Sequence, residues 1–135
     1  MSFRKELKSI FFKNKFDLLK KWISKNNGEI LHPERNINSL YLDNKNLSMY
    51  KDSVEGTVPR KKIRIRNYNN YPVFDLKNNR LELKISSAEG RYKKTKPTGN
   101  INLFNFKIND IAYGSCFPVI CVTYKRIYYS VKKIR

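Results

Sequence analysis

The stretch RKKIRIR, residues 60–66, gives the clearest structural pattern in this sequence. Five of its seven residues are cationic, and two isoleucines alternate with the cations towards its end. Successive side chains of a β-strand point to opposite faces, so Ile63 and Ile65, together with Lys61, would share one face. The other face would hold four cations, Arg60, Lys62, Arg64 and Arg66. Such a row is either solvated or lines a site for an anion.

Other stretches show the same alternation and predict further strands. SFRKELKSIFF (2–12), RLELKIS (80–86) and PVICVTYKRIYYSV (118–131) carry charged residues on one face, and INSLYLD (37–43) is a more apolar strand. The tight connection SAEG joins 80–86 to RYKKTKP (91–97), which predicts a hairpin.

Helical spacing predicts three helices. NKFDLLKKWISKN (14–26) would begin at the N-cap Asn14 and end at Gly28. NLSMYKDSVEG (46–56) is a short helix, and INLFNFKINDIAY (101–113) is an ambiguous apolar stretch that we predict to be helical. The apolar stripe of the first helix, which we expect in the core, comprises Phe16, Leu18, Leu19, Trp22 and Ile23.

The order of these elements predicts an α+β fold: an antiparallel β tunnel or barrel with helices packed outside. Several strands with cations on one face can form the polar interior of a barrel, while helices cover the apolar outer faces. The barrel is either closed or incomplete and open at its C-terminal side. We expect a single domain over residues 1–135. Its basic interior would bind a linear polyanion or a triphosphate.

Charge is the unusual property of the composition. The chain has 29 Lys and Arg against 11 Asp and Glu, a net charge of +18. This charge indicates a polyanionic partner. It is compatible with nucleic acid, anionic lipid, a nucleotide or polyphosphate. The spacing of the two cysteines predicts no disulfide framework, and the charged N-terminal residues are not expected to be a signal peptide. No apolar run approaches the ~20 residues that span a membrane. We therefore expect a cytoplasmic location.

Several motifs together resemble one known family, the VTC domain, which is the polyphosphate-polymerase branch of the triphosphate tunnel metalloenzyme (CYTH-like) superfamily. The resemblance covers essentially the whole chain. The motifs are R-x-E-x-K (Arg4, Glu6, Lys8), NSLYLDNKNLSMYKDSVEG (38–56), K-x-R-x-R (62–66), LELK (81–84), the lysine pair Lys93 and Lys94, and PVICVTYKRIYY (118–129).

The resemblance implies an ATP-dependent polyphosphate polymerase and a set of site residues. It implies a catalytic set comprising Lys62, Arg64, Arg66 and Arg126. It implies phosphate contacts from Arg4, Lys8, Lys84, Tyr124 and the pair Lys93 and Lys94, of which alternation permits only one to point inward. Glu6 and Glu82 would bind a divalent metal, Mn or Mg, or hold neighbouring cations in place.

Two departures from the family pattern bear on activity. Arg4 stands where hydrolytic and cyclase members carry the first glutamate of E-x-E-x-K, which favours the VTC branch. Family chains usually continue past the Y-K-R strand into further tunnel strands, whereas this sequence stops at Arg135. The sheet could then be an open trough that binds without catalysis, could be completed by a second copy or a partner chain, or could belong to a truncated reading frame. Enzyme activity stays open at this point.

Two other functions compete with phosphate binding. A nucleic-acid-binding module would use the charge for phosphate contacts and the interleaved tyrosines for stacking on RNA bases. The inward carboxylates Glu6 and Glu82 would repel a nucleic-acid backbone, which counts against it. A purely structural subunit with acidic partners is the third possibility.

Overall fold

The computed structural model describes residues 7–132 and contains two compact units. One comprises Met1–Glu34 with Ile127–Arg135, and the other comprises Arg35–Arg126. The strand bounds are β1 Glu29–Asp43, β2 Arg60–Asn67, β3 Arg80–Ser86, β4 Arg91–Pro97, β5 Ile108–Asp110 and β6 Gly114–Ser130. The helices are α1 Phe16–Lys25, preceded by a 3-10 turn at Lys13–Lys15, and α2 Ser48–Glu55.

The unit Arg35–Arg126 is built on a curled antiparallel sheet with strand order β4-β3-β2-β1-β6-β5. The sheet is a half-barrel that is open on one side, so the predicted α+β fold is confirmed in its open form. The predicted strands 37–43, 60–66, 80–86, 91–97 and 118–131 all overlap observed strands.

The core lies on one face of this sheet, where the alternation of β2 is confirmed. Ile63 and Ile65 are 3% and 0% exposed and pack with Leu40 and Leu42 of the neighbouring β1. The rest of the buried cluster comes from α2, loops and β6: Met49, Phe74, Ile101 and Cys116. Loops therefore cover much of the apolar face that we assigned to helices.

Helix α2 is attached to the sheet by the carboxylate at the end of β1. Asp43 accepts the backbone N–H of Met49 at 3.0 Å and that of Tyr50 at 2.9 Å. These amides lie in the first turn of α2, where N–H groups have no intrahelical acceptor. The helix ends at Gly56, whose φ of 73° lies in the left-handed region that glycine adopts without strain.

The predicted helix at 101–113 is wrong. This stretch forms turns and the short strand β5, in which Ile108 pairs with Cys116 of β6. Its apolar residues do not share one environment, because Ile101 is buried whereas Phe104 and Ile111 are fully exposed. A helix would need those side chains on one buried stripe.

A partly buried ion pair attaches β5 to β2. Lys61 Nζ lies 2.6 Å from Oδ2 of Asp110, on the face of β2 that carries the isoleucines. Burial alone would raise the pKa of the Asp110 carboxyl. The hydrogen bond from Lys61 and that from the Ala112 amide hold this pKa below its usual value.

The other unit, Met1–Glu34 with Ile127–Arg135, differs from its prediction at the start. Residues 7–12 form no strand, and their side chains are exposed. A strand is stabilised by a hydrogen-bonded neighbour, and alternating residues alone do not supply one. The rest of the predicted 2–12 strand, with Arg4 and Glu6, lies outside the described residues.

Helix α1 is confirmed, with corrections to its start and its buried face. It begins at Phe16, and Lys15 stands at the N-cap position without a side-chain capping bond, so Asn14 is not the N-cap. Ile23 is buried, but Leu18 and Trp22 are 63% and 56% exposed and do not lie in the core. Among the described residues, no helix is both long and apolar enough to cross a membrane.

Gly28 follows α1 at a position where a side chain does not fit. A Cβ atom there would lie 2.2 Å from Cγ2 of Ile23 and 2.7 Å from its carbonyl oxygen. We expect Gly28→Ala to lower the free energy of unfolding by about 1–3 kcal/mol, because the backbone must shift to relieve the overlap. Urea unfolding measures this change. The control is Ser24→Ala at an exposed helix position, and an equal effect of the two variants would contradict the predicted overlap.

Candidate functional site

The face of the sheet opposite the core carries a cluster of cations around one buried carboxylate. Arg64 donates from Nε to Oε2 of Glu82 at 2.7 Å, and its Nη2 lies 2.6 Å from the same oxygen. Arg66 Nη1 lies 3.8 Å from that oxygen, and Lys93 Nζ lies 3.2 Å from Oε1. We call Arg64, Arg66, Glu82 and Lys93 the Glu82 cluster.

The pairing of three strands produces this arrangement. Arg64 of β2 lies directly opposite Glu82 of β3, and Glu82 lies opposite Thr95 of β4. Residues directly opposite each other in an antiparallel pair bring their side chains together on one face. Lys93 lies two residues from Thr95 and therefore on the same face, within reach of the carboxylate.

Burial strengthens the electrostatics of the cluster. Glu82 and Arg66 are 5% and 8% exposed. Burial alone would raise the pKa of the Glu82 carboxyl, but hydrogen bonds from Arg64 and Lys93, and the charges of Arg64 and Arg66, hold this pKa below its usual value. Burial alone would lower the pKa of Arg64, but its bonds to Tyr41 and Glu82 raise it. Glu82 and Arg64 are therefore both charged at neutral pH.

Two hydroxyl groups orient Arg66. Its Nε donates to Oγ of Ser39 at 3.0 Å, and its Nη2 donates to Oη of Tyr124 at 3.4 Å. Tyr124 Oη also accepts a bond from Nη2 of Arg126 at 3.0 Å. The hydroxyl oxygen of Tyr124 thus accepts hydrogen bonds from both Arg66 of β2 and Arg126 of β6.

Sequence analysis missed two residues of this site, Ser39 and Tyr41. Tyr41 Oη accepts a bond from Nη1 of Arg64 at 3.3 Å, and the guanidinium carbon lies 6.0 Å from the centre of its ring. Both residues lie on β1 directly opposite the arginines they contact. Their partners follow from the register between β1 and β2, which residue spacing does not specify.

The remaining predicted site residues fall into four groups. Lys62 and Lys84 are exposed and lie opposite each other on the face of the Glu82 cluster. Lys94 lies opposite Leu83 on the other face of β4, so Lys93 is the lysine of the pair that joins the cluster. Lys8 is exposed and belongs to the other compact unit. Arg4 and Glu6 lie outside the described residues.

The described residues do not fit a metal site by themselves. Glu82 meets three cations, which occupy the oxygen atoms that a metal would need. Within residues 7–132 no three His, Cys, Asp or Glu side chains come together as a metal-binding group. As placed, Glu82 acts as the counter-ion of Arg64, Arg66 and Lys93, which was the alternative role for this carboxylate.

A cavity of about 640 Å³ lies beside the cluster at the ends of β1 and β2. Tyr41 and Lys62 line it, and Tyr41 is also the hydrogen-bond partner of Arg64. Val119, Ile120 and Val122 of β6 supply part of its apolar wall. Lys62 is the cation that lines this space, which is large enough for a small ligand.

Comparison with known proteins gives one match. The model of the VTC domain family matches residues 3–111, which is more than half of the chain. Neither a curated protein nor a solved structure matches. The matched range includes β1 to β5 and the whole Glu82 cluster.

Proposed function

The chain belongs to the VTC domain family, and on that premise we propose that the basic face of its sheet binds the phosphates of a nucleoside triphosphate or of polyphosphate. The observation that carries the proposal is the Glu82 cluster. Arg64, Arg66 and Lys93 meet on a single carboxylate in a half-buried site. Lys62, Lys84 and Arg126 extend the same surface along β2, β3 and β6.

The chemistry of these side chains suits a phosphate chain. A guanidinium group presents planar pairs of N–H donors that match phosphate oxygens, whereas lysine supplies a compact charge on a flexible stem. One carboxylate cannot neutralise three cations, so the cluster keeps positive charge for a ligand with several negative groups. Ser39 and Tyr124 hold Arg66 in place before a ligand arrives. Preorganised donors of this kind bind without a large ordering cost.

We propose phosphoryl transfer from ATP to a polyphosphate end as the reaction, if the site is catalytic. An oxygen of the terminal phosphate of the acceptor would form a bond to the γ-phosphorus, and the bond from that phosphorus to the β–γ bridging oxygen would break, leaving ADP. Such transfers depend mainly on positioning and charge neutralisation. Lys62, Arg64, Arg66 and Arg126 would neutralise the charge that develops on the transferred group. The family, whose members are generally metal-dependent, predicts a divalent metal, Mn or Mg. The proposed transfer assigns no role to that metal.

One edge of the sheet, strand β4, can pair with another chain. β4 stands at the end of the strand order, and its residues are exposed. An unpaired strand edge can accept another strand. We propose that a second copy or a partner chain can complete the sheet on this side and add groups to the site.

Two adjacent lysines of β4 test the proposed site with a matched control. We expect Lys93→Gln to weaken tripolyphosphate binding about fivefold, because it removes one charge from the Glu82 cluster. Lys94→Gln removes the same charge from the opposite face and should change the affinity less than twofold. Titration calorimetry of both variants measures this difference. Equal losses from the two variants would mean that overall charge, not this face, attracts the ligand.

Competition with single-stranded RNA separates this proposal from the nucleic-acid alternative. We expect tripolyphosphate and ATP to bind to the wild-type protein and to displace a short RNA from it. RNA binding that is tight, depends steeply on salt and resists displacement by tripolyphosphate would favour the nucleic-acid module instead.

A further inference from the structure

Helix α1 and the segment before it expose large apolar side chains that contribute nothing to the Glu82 cluster. Leu18 and Trp22 are one helical turn apart, and more than half of each side chain faces solvent. The preceding segment adds three further exposed residues, Ile10, Phe11 and Phe12. Exposed apolar side chains of this size can form a surface that meets a partner.

Lysines border these apolar residues of the helix on one side. Residues 7–28 contain six lysines, namely Lys8, Lys13, Lys15, Lys20, Lys21 and Lys25. Lys21 and Lys25 follow Leu18 and Trp22 at a spacing of three residues, so they form the adjacent row on the helix. The other side of this pair is the stripe that contains the buried Ile23. Lys20 lies beyond that stripe, with its Nζ 4.7 Å from the centre of the Phe16 ring. The exposed apolar pair is therefore bordered by cations along one edge.

The combination of exposed apolar side chains and neighbouring lysines indicates the chemistry of the partner. Lysine stems can lie along an apolar surface while their ammonium groups reach a polar layer above it. Tryptophan prefers the boundary between an apolar and a polar phase. A row of lysines beside exposed apolar side chains suits a surface at which anionic headgroups meet acyl chains.

We propose that α1, together with residues 7–15, lies on the surface of an anionic lipid bilayer. Leu18, Trp22 and the apolar residues of the preceding segment would enter the boundary between headgroups and acyl chains. Lys21 and Lys25 would contact the lipid phosphates. This association is a surface contact, and it is independent of the proposed phosphate site on the sheet.

The single tryptophan of the chain, Trp22, gives the experiment a direct readout. The full chain is mixed with phosphatidylcholine vesicles that do or do not contain phosphatidylglycerol. We expect the Trp22 emission to shift to the blue and the protein to sediment with the anionic vesicles alone. Added salt should reduce the binding, because the lysines act through screened charges. An absence of the blue shift on anionic vesicles would overturn the proposal.

Matched variants separate this surface from the general positive charge of the protein. Leu18→Ser should lower vesicle affinity about tenfold, whereas Phe104→Ser, at an exposed apolar residue elsewhere in the chain, should leave it unchanged. Lys21→Gln with Lys25→Gln should lower affinity about 30-fold, since each lysine near an anionic surface adds about a fivefold factor. The control for this pair is Lys94→Gln with Lys96→Gln, which removes the same charge from β4.

Three results would contradict the inference. Equal losses from the two lysine pairs would assign vesicle binding to net charge. Unchanged binding of Leu18→Ser would exclude insertion of the helix. An equal blue shift with polyglutamate in place of vesicles would assign the surface to acidic polymers instead of lipid.

Discussion

Replacement of both arginines of the Glu82 cluster is expected to weaken tripolyphosphate binding by at least about 100-fold. Arg64 and Arg66 supply most of the hydrogen-bond donors that would meet the phosphate oxygens. Each hydrogen bond to a charged group contributes about 1.5–3 kcal/mol, so the loss of two arginines exceeds two orders of magnitude in affinity. Titration calorimetry of Arg64→Ala with Arg66→Ala against the wild type measures this loss.

The double variant also leaves Glu82 buried with fewer cations, which can unfold the protein. A second variant, Arg64→Gln with Arg66→Gln and Glu82→Gln, removes the carboxylate as well and lets the amides hydrogen-bond to one another. Circular dichroism and urea unfolding check that each variant is folded. A folded triple variant that binds tripolyphosphate with wild-type affinity would refute the proposed site.

Glu82→Gln alone is expected to lower the free energy of unfolding by about 3 kcal/mol, because it leaves Arg64 and Arg66 without their shared counter-ion in a largely buried site. The same variant should bind tripolyphosphate more tightly, since the ligand no longer competes with the carboxylate for the cations. Tripolyphosphate should then restore much of the lost stability by mass action. Urea unfolding with and without tripolyphosphate measures both effects.

The pH dependence of stability gives a second check on Glu82. Because the pKa of Glu82 is lowered in the folded protein, its stabilising contribution is present above the carboxyl pKa of the unfolded chain, about 4.3. This contribution is lost as the pH falls from there through the lower pKa of the folded state. Wild-type stability should therefore fall more steeply than that of Glu82→Gln across this acidic range. Parallel curves for the two proteins would mean that Glu82 is not ion-paired in solution.

Much of the sheet could be predicted from short-range patterns. The alternation of RKKIRIR assigned Ile63 and Ile65 to the core and Arg64 and Arg66 to the opposite face, and the structure confirms this division. It holds because a strand has a period of two whatever its neighbours are. The same argument failed for residues 7–12, because alternation specifies faces without supplying a neighbouring strand.

Long-range pairing explains the contacts that sequence analysis missed. Asn38 donates to Asn67 at 2.8 Å, and Asn67 donates to Asn79 at 2.9 Å. Asn79 in turn donates to the carbonyl of Phe74 at 2.6 Å, which ties a loop to the sheet. All three asparagines are buried, so each needs these partners. No spacing in the sequence links them, since the chain returns to this place only after folding.

The sequence by itself determined which residues are basic, which alternate and which family they resemble, because these properties depend on residue types and local spacing. The tertiary structure decided that Glu82 is shared by three cations and that Lys93, not Lys94, joins them. It also decided that Trp22 faces solvent. The register between strands and the burial of one helix face arise from contacts between distant parts of the chain, which local patterns do not specify.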